Sequence, residues 1–292
     1  MFAIDRYRKA ESLEDAVRLL SEDPDARPVA GGTDVLVRLR HGDPGYGNLV
    51  DIRGIPALQG VAGQRDGTVR IGALVTFSEL MDSELVARRV PVLAEAAATV
   101  GGPQVRNMGT IGGNICNGAV SADTAAPLLV LEARLEIHGT GGRRVVPLAG
   151  FHLGPGRVAL EPGDVLAAFL IGPAGYRGLG AAYHKYAMRG AMDIATIGCA
   201  AGVRLEGDVV AELRLAFTVA APTPVRCPTA EAAAQGRALT DETLDAVAEG
   251  AAADVSPRTS WRAPKDLRLH LVRTLARRVV RQAAERAGRR SS

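Results

Sequence analysis

Cysteine and aromatic residues are scarce in this chain, and each shortage excludes a class of protein. The 292 residues contain three cysteines, at positions 116, 199 and 227, and no two of them form a C-x-x-C pair. Their number and spacing argue against a disulfide scaffold and exclude a four-thiolate iron–sulfur cluster within this sequence. Aromatic residues make up 4%, too few for a surface that stacks nucleic-acid bases. We therefore expect any one-electron relay to lie in another subunit.

Long apolar runs are missing as well. The stretch Ala125 to Leu131, for example, is far shorter than the roughly 18 residues that a membrane-spanning helix needs. The first residues are charged throughout and lack the apolar core of a signal peptide. We expect a cytoplasmic protein with no membrane span and, from its length, about two domains.

Positive charge is concentrated near the end of the sequence. Positions 262–292 hold ten basic residues against two acidic ones, whereas the chain as a whole has a net charge of +3. The spacing predicts a helix over about 264–287 with an apolar stripe formed by Leu267, Leu271, Leu275, Val279 and Ala283. The arginines at 268, 273, 277 and 281 are predicted to lie off that stripe. We interpret the helix as a surface for a partner or for domain packing and expect no nucleic-acid binding.

The pattern of elements predicts an α+β fold with two domains. An N-terminal domain of two α/β subdomains is expected over 1–176, and a smaller domain with a short antiparallel sheet and helices over 177–292. Capping signals at Ser12 and Thr76 predict two helix starts. Strands are expected at 28–30, 48–52, 68–74, 196–205 and 209–219, and a hairpin at 135–148, with the linker at 172–180.

Two glycine-rich segments are the best candidates for a binding site. The first is Ala30-Gly31-Gly32-Thr33-Asp34, and the second is Thr110-Ile111-Gly112-Gly113-Asn114. The second lies in the stretch 109–123, which lacks helical periodicity and is predicted to be a tight loop. Paired glycines can expose consecutive N–H groups to an anion, so the two segments could hold the two phosphates of a dinucleotide. Asp34 and Asp123 could accept hydrogen bonds from such a ligand. The alternative is that both segments are plain tight turns.

The standard sequence motifs that would indicate another kind of site are absent from this sequence. The sequence contains no G-x-x-x-x-G-K-[ST], no G-x-G-x-x-G and no G-x-S-x-G. Its five histidines and three cysteines show no metal-ligand spacing, so we expect no metal site.

The two glycine-rich segments, read as AGGTDVLVRLR and TIGGNICNGAVSADTAAP, resemble the FAD-binding subunit of the molybdenum hydroxylases. That family includes xanthine dehydrogenase and carbon monoxide dehydrogenase. The stretches HKYAMRGAMDIATIGCA, APTPVRC and WRAPKDLRLHL resemble the family's C-terminal domain. The form NICNG…SAD with FHLGPG is most similar to the separate flavin subunit of bacterial three-subunit xanthine dehydrogenases.

The resemblance implies roles for individual positions. The first pyrophosphate loop would be Arg27, Pro28, Val29, Ala30, Gly31, Gly32, Thr33 and Asp34, and the second Gly109, Thr110, Ile111, Gly112 and Gly113, with Asn114 beside it. Asp123 would hydrogen-bond within the FAD site, and Leu166 would line the flavin ring. Lys185, one of only three lysines, would lie near the ring's polar edge and tune its potential. Where animal relatives place an aromatic residue against the flavin, this sequence has Val100.

The expected function is that of an electron-transfer subunit of a xanthine dehydrogenase-like enzyme. By resemblance, a molybdenum subunit carrying molybdopterin hydroxylates a purine, and an iron–sulfur subunit with [2Fe-2S] clusters relays electrons to FAD in this chain and then to NAD+. A dimer of heterotrimers is implied. One alternative is a sister hydroxylase acting on carbon monoxide, an aldehyde, nicotinate or an aromatic thioester with another acceptor. The other is a nucleotide-binding or scaffolding subunit without redox turnover.

Overall fold

The N-terminal part begins with a small parallel sheet. In the computed structural model, which describes residues 4–291, the strands β1 (Arg6–Lys9), β2 (Arg27–Val29) and β3 (Asn48–Asp51) pair in the order β1-β3-β2. Helices α1 (Leu13–Glu22) and α2 (Val35–Arg40) connect them, and two 3-10 turns, Pro44–Tyr46 and Pro56–Leu58, flank β3. The Ser12 hydroxyl accepts a hydrogen bond from the Asp15 N–H at 3.1 Å, which confirms the predicted start of α1.

A second, antiparallel sheet contains five strands: β4 (Val61–Gly63), β5 (Val69–Gly72), β6 (Arg134–Gly139), β7 (Gly142–Pro147) and β10 (Val165–Ile171). They pair in the order β4-β5-β10-β6-β7. Two further strands, β8 (His152–Gly154) and β9 (Arg157–Val158), form a separate ribbon. The predicted hairpin is confirmed as β6 and β7. Strand β10 lies in the middle of the sheet and is buried at all but one position, as a central strand of an enclosed sheet must be.

Six short helices lie between β5 and β6 in the chain, and one of them corrects a prediction. They are α3 (Phe77–Asp82), α4 (Glu84–Arg89), α5 (Pro91–Ala98), α6 (Pro103–Met108), α7 (Ile111–Cys116) and α8 (Ala125–Val130). The capping box at Thr76 is confirmed. The tight loop predicted for 109–123 is wrong in its first half, where α7 forms. The Thr110 hydroxyl caps α7, and Ile111 and Ile115, one turn apart, are fully buried.

The C-terminal part is a four-stranded antiparallel sheet backed by helices. It contains β11 (Gly180–Tyr186), β12 (Ile197–Glu206), β13 (Val209–Thr218) and β14 (Val225–Arg226), followed by α10 (Pro228–Ala234), α11 (Asp241–Asp254) and α12 (Lys265–Ser291). The two long predicted strands are thereby confirmed. The predicted linker contains helix α9 (Pro173–Tyr176), and the buried Tyr176 hydroxyl donates to the Gly67 carbonyl at 2.7 Å, so this connection is packed against the sheet.

Both faces of the C-terminal sheet are buried. On one face, Ala181, Tyr183, Ala200 and Ala216 join the apolar core of the five-stranded sheet. The other face packs on α10, α11 and α12 in a second core. Because of this shared core, the first face of the C-terminal sheet forms a wall against the N-terminal part. No helix among residues 4–291 is both long and apolar enough to cross a membrane.

Helix α12 is a domain-packing helix, with one correction at its start. The predicted stripe is buried at Leu271, Leu275, Val279 and Ala283. Leu267 is 40% exposed, however, and Arg268, predicted to lie off the stripe, is 2% exposed. The Arg268 guanidinium replaces the expected leucine because it finds acceptors inside, donating to the Thr196 carbonyl and to the Ser260 hydroxyl.

Candidate cofactor site

A cleft of about 640 Å³ lies beside both glycine-rich segments. Most of the predicted site residues line it: Arg27, Pro28, Ala30, Gly31, Gly32, Thr33, Asp34, Gly109, Thr110, Gly112, Gly113, Asn114 and Leu166. The structure therefore brings together two segments that are about 80 positions apart in sequence. Val29 and Ile111 are buried behind the cleft wall, and neither Asp123 nor Lys185 lines the cleft.

Glycine is required where the two segments meet. A Cβ at Gly31 would overlap the Met108 carbonyl oxygen, at the end of α6. A Cβ at Gly112 would likewise collide with the backbone of Ala73. Gly32 has a φ of +73°, in the left-handed region that side chains disfavour. Gly31 therefore lets the first segment pack on the backbone that precedes the second, and Gly112 lets the second segment pack on the backbone after β5.

The two segments differ in the hydrogen bonds they leave open. In the second, the N–H groups of Ile111, Gly112 and Gly113 bond to the Val75 carbonyl, the Ala73 carbonyl and the Thr110 hydroxyl at 2.9, 2.9 and 3.0 Å. The predicted anion nest at this glycine pair is therefore wrong, because its N–H groups are already used inside the chain.

The first segment keeps its backbone donors. No carbonyl or side chain of residues 4–291 accepts a hydrogen bond from the N–H groups of Gly32, Thr33 or Asp34, all of which line the cleft. They precede α2, and the first N–H groups of any helix have no partner within the helix. An anion in this part of the cleft would meet the unpaired donors of Gly32, Thr33 and Asp34, whereas the N–H groups of the second glycine pair are bonded within the chain.

The cleft has further walls that the sequence did not reveal. Tyr46 and Phe77 supply aromatic side chains, and parts of the segment 153–165, which precedes Leu166, also line the cleft. Val100, which the resemblance places against the flavin, lines the cleft as well. Cys116 also lines the cleft, and burial raises the pKa of its thiol to about 12, so it is un-ionised at neutral pH. These residues come from separate elements and share no spacing, so no sequence signal could have grouped them.

Asp123 and Lys185 are paired with each other. The Lys185 ammonium donates to Asp123 Oδ2 at 2.8 Å and to the Thr99 carbonyl at 3.0 Å, and the Tyr183 hydroxyl donates to Asp123 Oδ1 at 2.8 Å. Both charged side chains are 8% exposed. Lys185 and Tyr183 come from β11, whereas Asp123 comes from the segment after α7, so this buried ion pair joins the two parts of the chain.

The ion pair is connected to the cleft wall through residues that are adjacent in sequence or hydrogen-bonded to residues lining the cleft. Thr99 precedes Val100, which lines the cleft. Asp123 precedes Thr124, whose hydroxyl donates to Asn114 Oδ1 at 2.6 Å, and Asn114 lines the cleft. Burial raises the pKa of Asp123, and the charge of Lys185 counteracts this rise. Burial and the nearby Asp123 carboxylate raise the pKa of Tyr183, which keeps its proton and remains a donor.

Comparison with known proteins shows the family to which this chain belongs. Residues 2–173 match the model of the FAD binding domain in molybdopterin dehydrogenase, and residues 182–283 match the C-terminal domain of the carbon monoxide dehydrogenase flavoprotein. The chain is 49% identical to a xanthine dehydrogenase FAD-binding subunit of Escherichia coli O157:H7 over 288 residues, which is 99% of each chain. The chain belongs to the FAD-binding subunits of the molybdopterin dehydrogenases.

Other members of the family show the same architecture. The chain is 37% identical to the carbon monoxide dehydrogenase medium chain of Hydrogenophaga pseudoflava, covering 95% of this chain and 96% of that one. A solved structure of carbon monoxide dehydrogenase from the same organism superposes with a TM-score of 0.94 at 35% identity, covering 98% of this chain and 99% of that one. A quinoline 2-oxidoreductase structure from Pseudomonas putida 86 gives a TM-score of 0.91 at 30% identity, covering 98% of this chain and 99% of that one. The predicted α+β fold, with an FAD-binding domain followed by a C-terminal domain, is confirmed.

The cleft of this flavoprotein fits FAD in its chemistry. The unpaired N–H groups of the first segment suit a pyrophosphate, which is an anion with many acceptor oxygens. The apolar side chains of Leu74, Val100 and Leu166 suit a flat ring system. Within residues 4–291 no group of three or more His, Cys, Asp and Glu side chains is placed to hold a metal ion.

Proposed function

We propose that this chain is the flavin subunit of a xanthine dehydrogenase-like complex, with electrons arriving from iron–sulfur clusters of a partner subunit and leaving to NAD+. The observation that supports this most is the 49% identity, over 99% of both chains, to a protein named as a xanthine dehydrogenase FAD-binding subunit. Molybdopterin and the [2Fe-2S] clusters would lie in the partner subunits. This sequence has three cysteines, fewer than the four thiolates that hold a cluster, and no motif that binds a pterin.

We further propose a role for each part of the cleft. The segment from Arg27 to Asp34 would bind the pyrophosphate, because its N–H groups are the open donors. Gly109 to Gly113 would serve as the close-packed wall opposite, with Asn114 held by Thr124. Leu166 would contact the ring. When bound, FAD supplies a centre that can exchange electrons with a one-electron relay and with a two-electron acceptor.

For Lys185 the proposed role changes in one respect. By resemblance, Lys185 would lie near the ring's polar edge and tune its potential, but Asp123 lies 2.8 Å from the lysine ammonium. An ammonium and a carboxylate in contact carry no net charge as a unit, so the effect of the pair on a nearby ring would be that of a dipole and would depend on its orientation. We propose that Lys185 and Asp123 act together on the site, through their link to Thr99 and Asn114.

The domain boundary is also a proposal. We place it between residues 176 and 177, at the end of α9, with the FAD-binding domain over 1–176 and the C-terminal domain over 177–292. The end of one family match at 173 and the start of the next at 182 support this division.

The test is anaerobic stopped-flow spectroscopy of the purified, FAD-loaded chain without its partners. We expect NADH to bleach the flavin absorbance and hypoxanthine to leave it unchanged, because a purine needs the molybdenum centre of another subunit. Bleaching by hypoxanthine alone would refute this division of labour. A loaded chain that NADH does not reduce would favour a sister hydroxylase with another acceptor, and a folded chain that takes up no FAD would favour a scaffolding subunit.

A further inference from the structure

A tight turn before α12 carries an unusual concentration of exposed and positively charged side chains. Trp261 is 77% exposed, and the Arg262 guanidinium lies over its ring with the carbon 4.2 Å from the ring centroid. The turn is held closed by a bridge between Ser260 and Ala263 and by the Lys265 N–H, which donates to the Thr259 hydroxyl at 3.1 Å. We call the side chains of Arg258, Trp261, Arg262 and Lys265 the Trp261 surface.

Arg268 lies beneath this surface with no carboxylate of the described residues paired to it. It is 2% exposed and donates to the Ser260 hydroxyl at 2.9 Å and to the carbonyls of Thr196 and Val219. Its Nε and that of Arg262 are both buried and have no hydrogen-bond partner in the described part of the chain. Burial, and then the charges of Arg258 and Arg262, lower the pKa of Arg268.

Three other arginines of α12, by contrast, are paired with carboxylates. Arg273 pairs with Glu249, and Arg277 and Arg281 pair with Asp241, all on α11. No carboxylate of residues 4–291 forms such a pair with Arg258, Arg262, Lys265 or Arg268. Asp266 lies close in sequence but is exposed, and Asp254 is used by the N–H and hydroxyl of Thr229. Buried charges in proteins are normally paired, so the counter-charge is missing from the described part of this chain.

We infer that the Trp261 surface is a docking site for an acidic segment of a partner subunit, whose carboxylates supply the missing counter-charge and whose apolar side chains cover Trp261. Tryptophan and arginine are the residues that most often dominate protein–protein binding energy. A small anion would neutralise the arginines but leave the indole exposed. This inference rests on the proposed assembly with partner subunits, and it adds a contact surface outside the FAD cleft.

Nucleic acid fits the same surface less well. A strand that stacks on Trp261 would need a continuing track of free cations and further aromatic platforms. Arg273, Arg277 and Arg281, farther along α12, are neutralised by carboxylates of α11, and Trp261 is the one tryptophan of the chain. The charge pattern is local, which suits a short acidic peptide segment.

The test compares assembly of the complete complex with two variants of this surface and a matched control. Trp261→Ala and the double variant Arg258→Glu/Arg262→Glu remove the aromatic contact and reverse the charge. Arg65→Glu/Arg237→Glu makes the same charge change at two exposed arginines elsewhere. Mass photometry measures the dissociation constant of each chain for its co-purified iron–sulfur and molybdenum subunits. We expect at least about a 10-fold weaker assembly for both surface variants and no change for the control.

A crosslink identifies the occupant. Benzoylphenylalanine replacing Trp261 in the assembled complex should crosslink, on illumination, to a segment rich in Asp and Glu of one partner subunit. Unchanged assembly of both surface variants would overturn the inference, as would crosslinks confined to copies of this chain. Salt-sensitive binding of oligothymidine that the charge-reversal variant loses would overturn it in favour of nucleic acid.

The controls separate this inference from the proposed function. Each variant should keep its thermal midpoint, its FAD content and its rate of reduction by NADH, because none of these residues lines the cleft. If the unaltered chain fails to react with NADH, the proposed acceptor is wrong and the docking surface is unaffected. If assembly is insensitive while NADH reduction is normal, the docking surface alone is wrong.

Discussion

Removing Lys185 tests whether the buried ion pair holds the two parts of the chain together. Its ammonium lies 2.8 Å from Asp123 Oδ2, and each side chain is 8% exposed. Removing one partner of a buried pair typically costs about 3–5 kcal/mol, because the other charge is left without compensation. Asp123 can escape part of that cost by taking up a proton, so we expect Lys185→Met to lower the free energy of unfolding by about 3 kcal/mol at pH 7.

The pH dependence distinguishes this cause from lost packing. Without Lys185, the pKa of Asp123 in the folded state rises further, since the lysine is what counteracts burial. A carboxyl whose folded pKa lies above its unfolded pKa stabilises the fold at low pH, and this contribution is lost as pH rises through the folded pKa. The deficit of Lys185→Met should therefore shrink on acidification, by at most about 1.4 kcal/mol per pH unit for one proton.

Urea unfolding followed by circular dichroism, at several pH values, measures both effects. The set of variants is Lys185→Met, Asp123→Asn, the double variant, and Lys9→Met as an exposed lysine control. The double variant should be more stable than the sum of the single losses implies, with a coupling of at least about 1 kcal/mol. Additive losses, or a deficit in Lys185→Met that does not change with pH, would show that Lys185 does not compensate the buried charge of Asp123.

Two further predictions concern Gly31, which lines the cleft, and His152, which contacts α7. Gly31→Ala should separate the two glycine-rich segments, because the new methyl group overlaps the Met108 carbonyl; we expect the free energy of unfolding to fall by about 1–3 kcal/mol and most of the bound FAD to be lost. The control is Gly141→Ala, where the added carbon meets nothing within 4 Å. Equal flavin content in both variants would contradict the close packing at Gly31. His152 Nε2 lies 3.2 Å from the Ile115 carbonyl in α7, and burial lowers the pKa of this histidine. The stability that its neutral form contributes is therefore complete above pH 6.5 and is lost as pH falls through the pKa of the folded state. The thermal midpoint should fall between pH 6.5 and about 5 more steeply in the wild type than in His152→Asn, and parallel curves would show that His152 is not involved.

The elements predicted from local signals were largely correct. The helix start at Ser12, the hairpin of β6 and β7 and the long strands β12 and β13 follow from patterns within a few residues of each other. Such signals are set by capping and by alternation along one segment. Helix α7 escapes prediction because six residues with two glycines carry too little periodicity, although the Thr110 cap and the spacing of Ile111 and Ile115 are present.

The sequence alone thus determined the two glycine-rich segments and, through their residue pattern, the family to which the chain belongs. Tertiary structure alone decided what those glycines do. At Gly31 and Gly112 the reason is close backbone packing. The N–H groups of Gly32, Thr33 and Asp34 remain open, whereas those of Ile111, Gly112 and Gly113 are bonded to residues between β5 and α3 and to the Thr110 cap. It also decided that Lys185 is paired with Asp123 and that Arg268 is buried. Charges in sequence carry no sign of their partners, which are brought near only when distant segments pack.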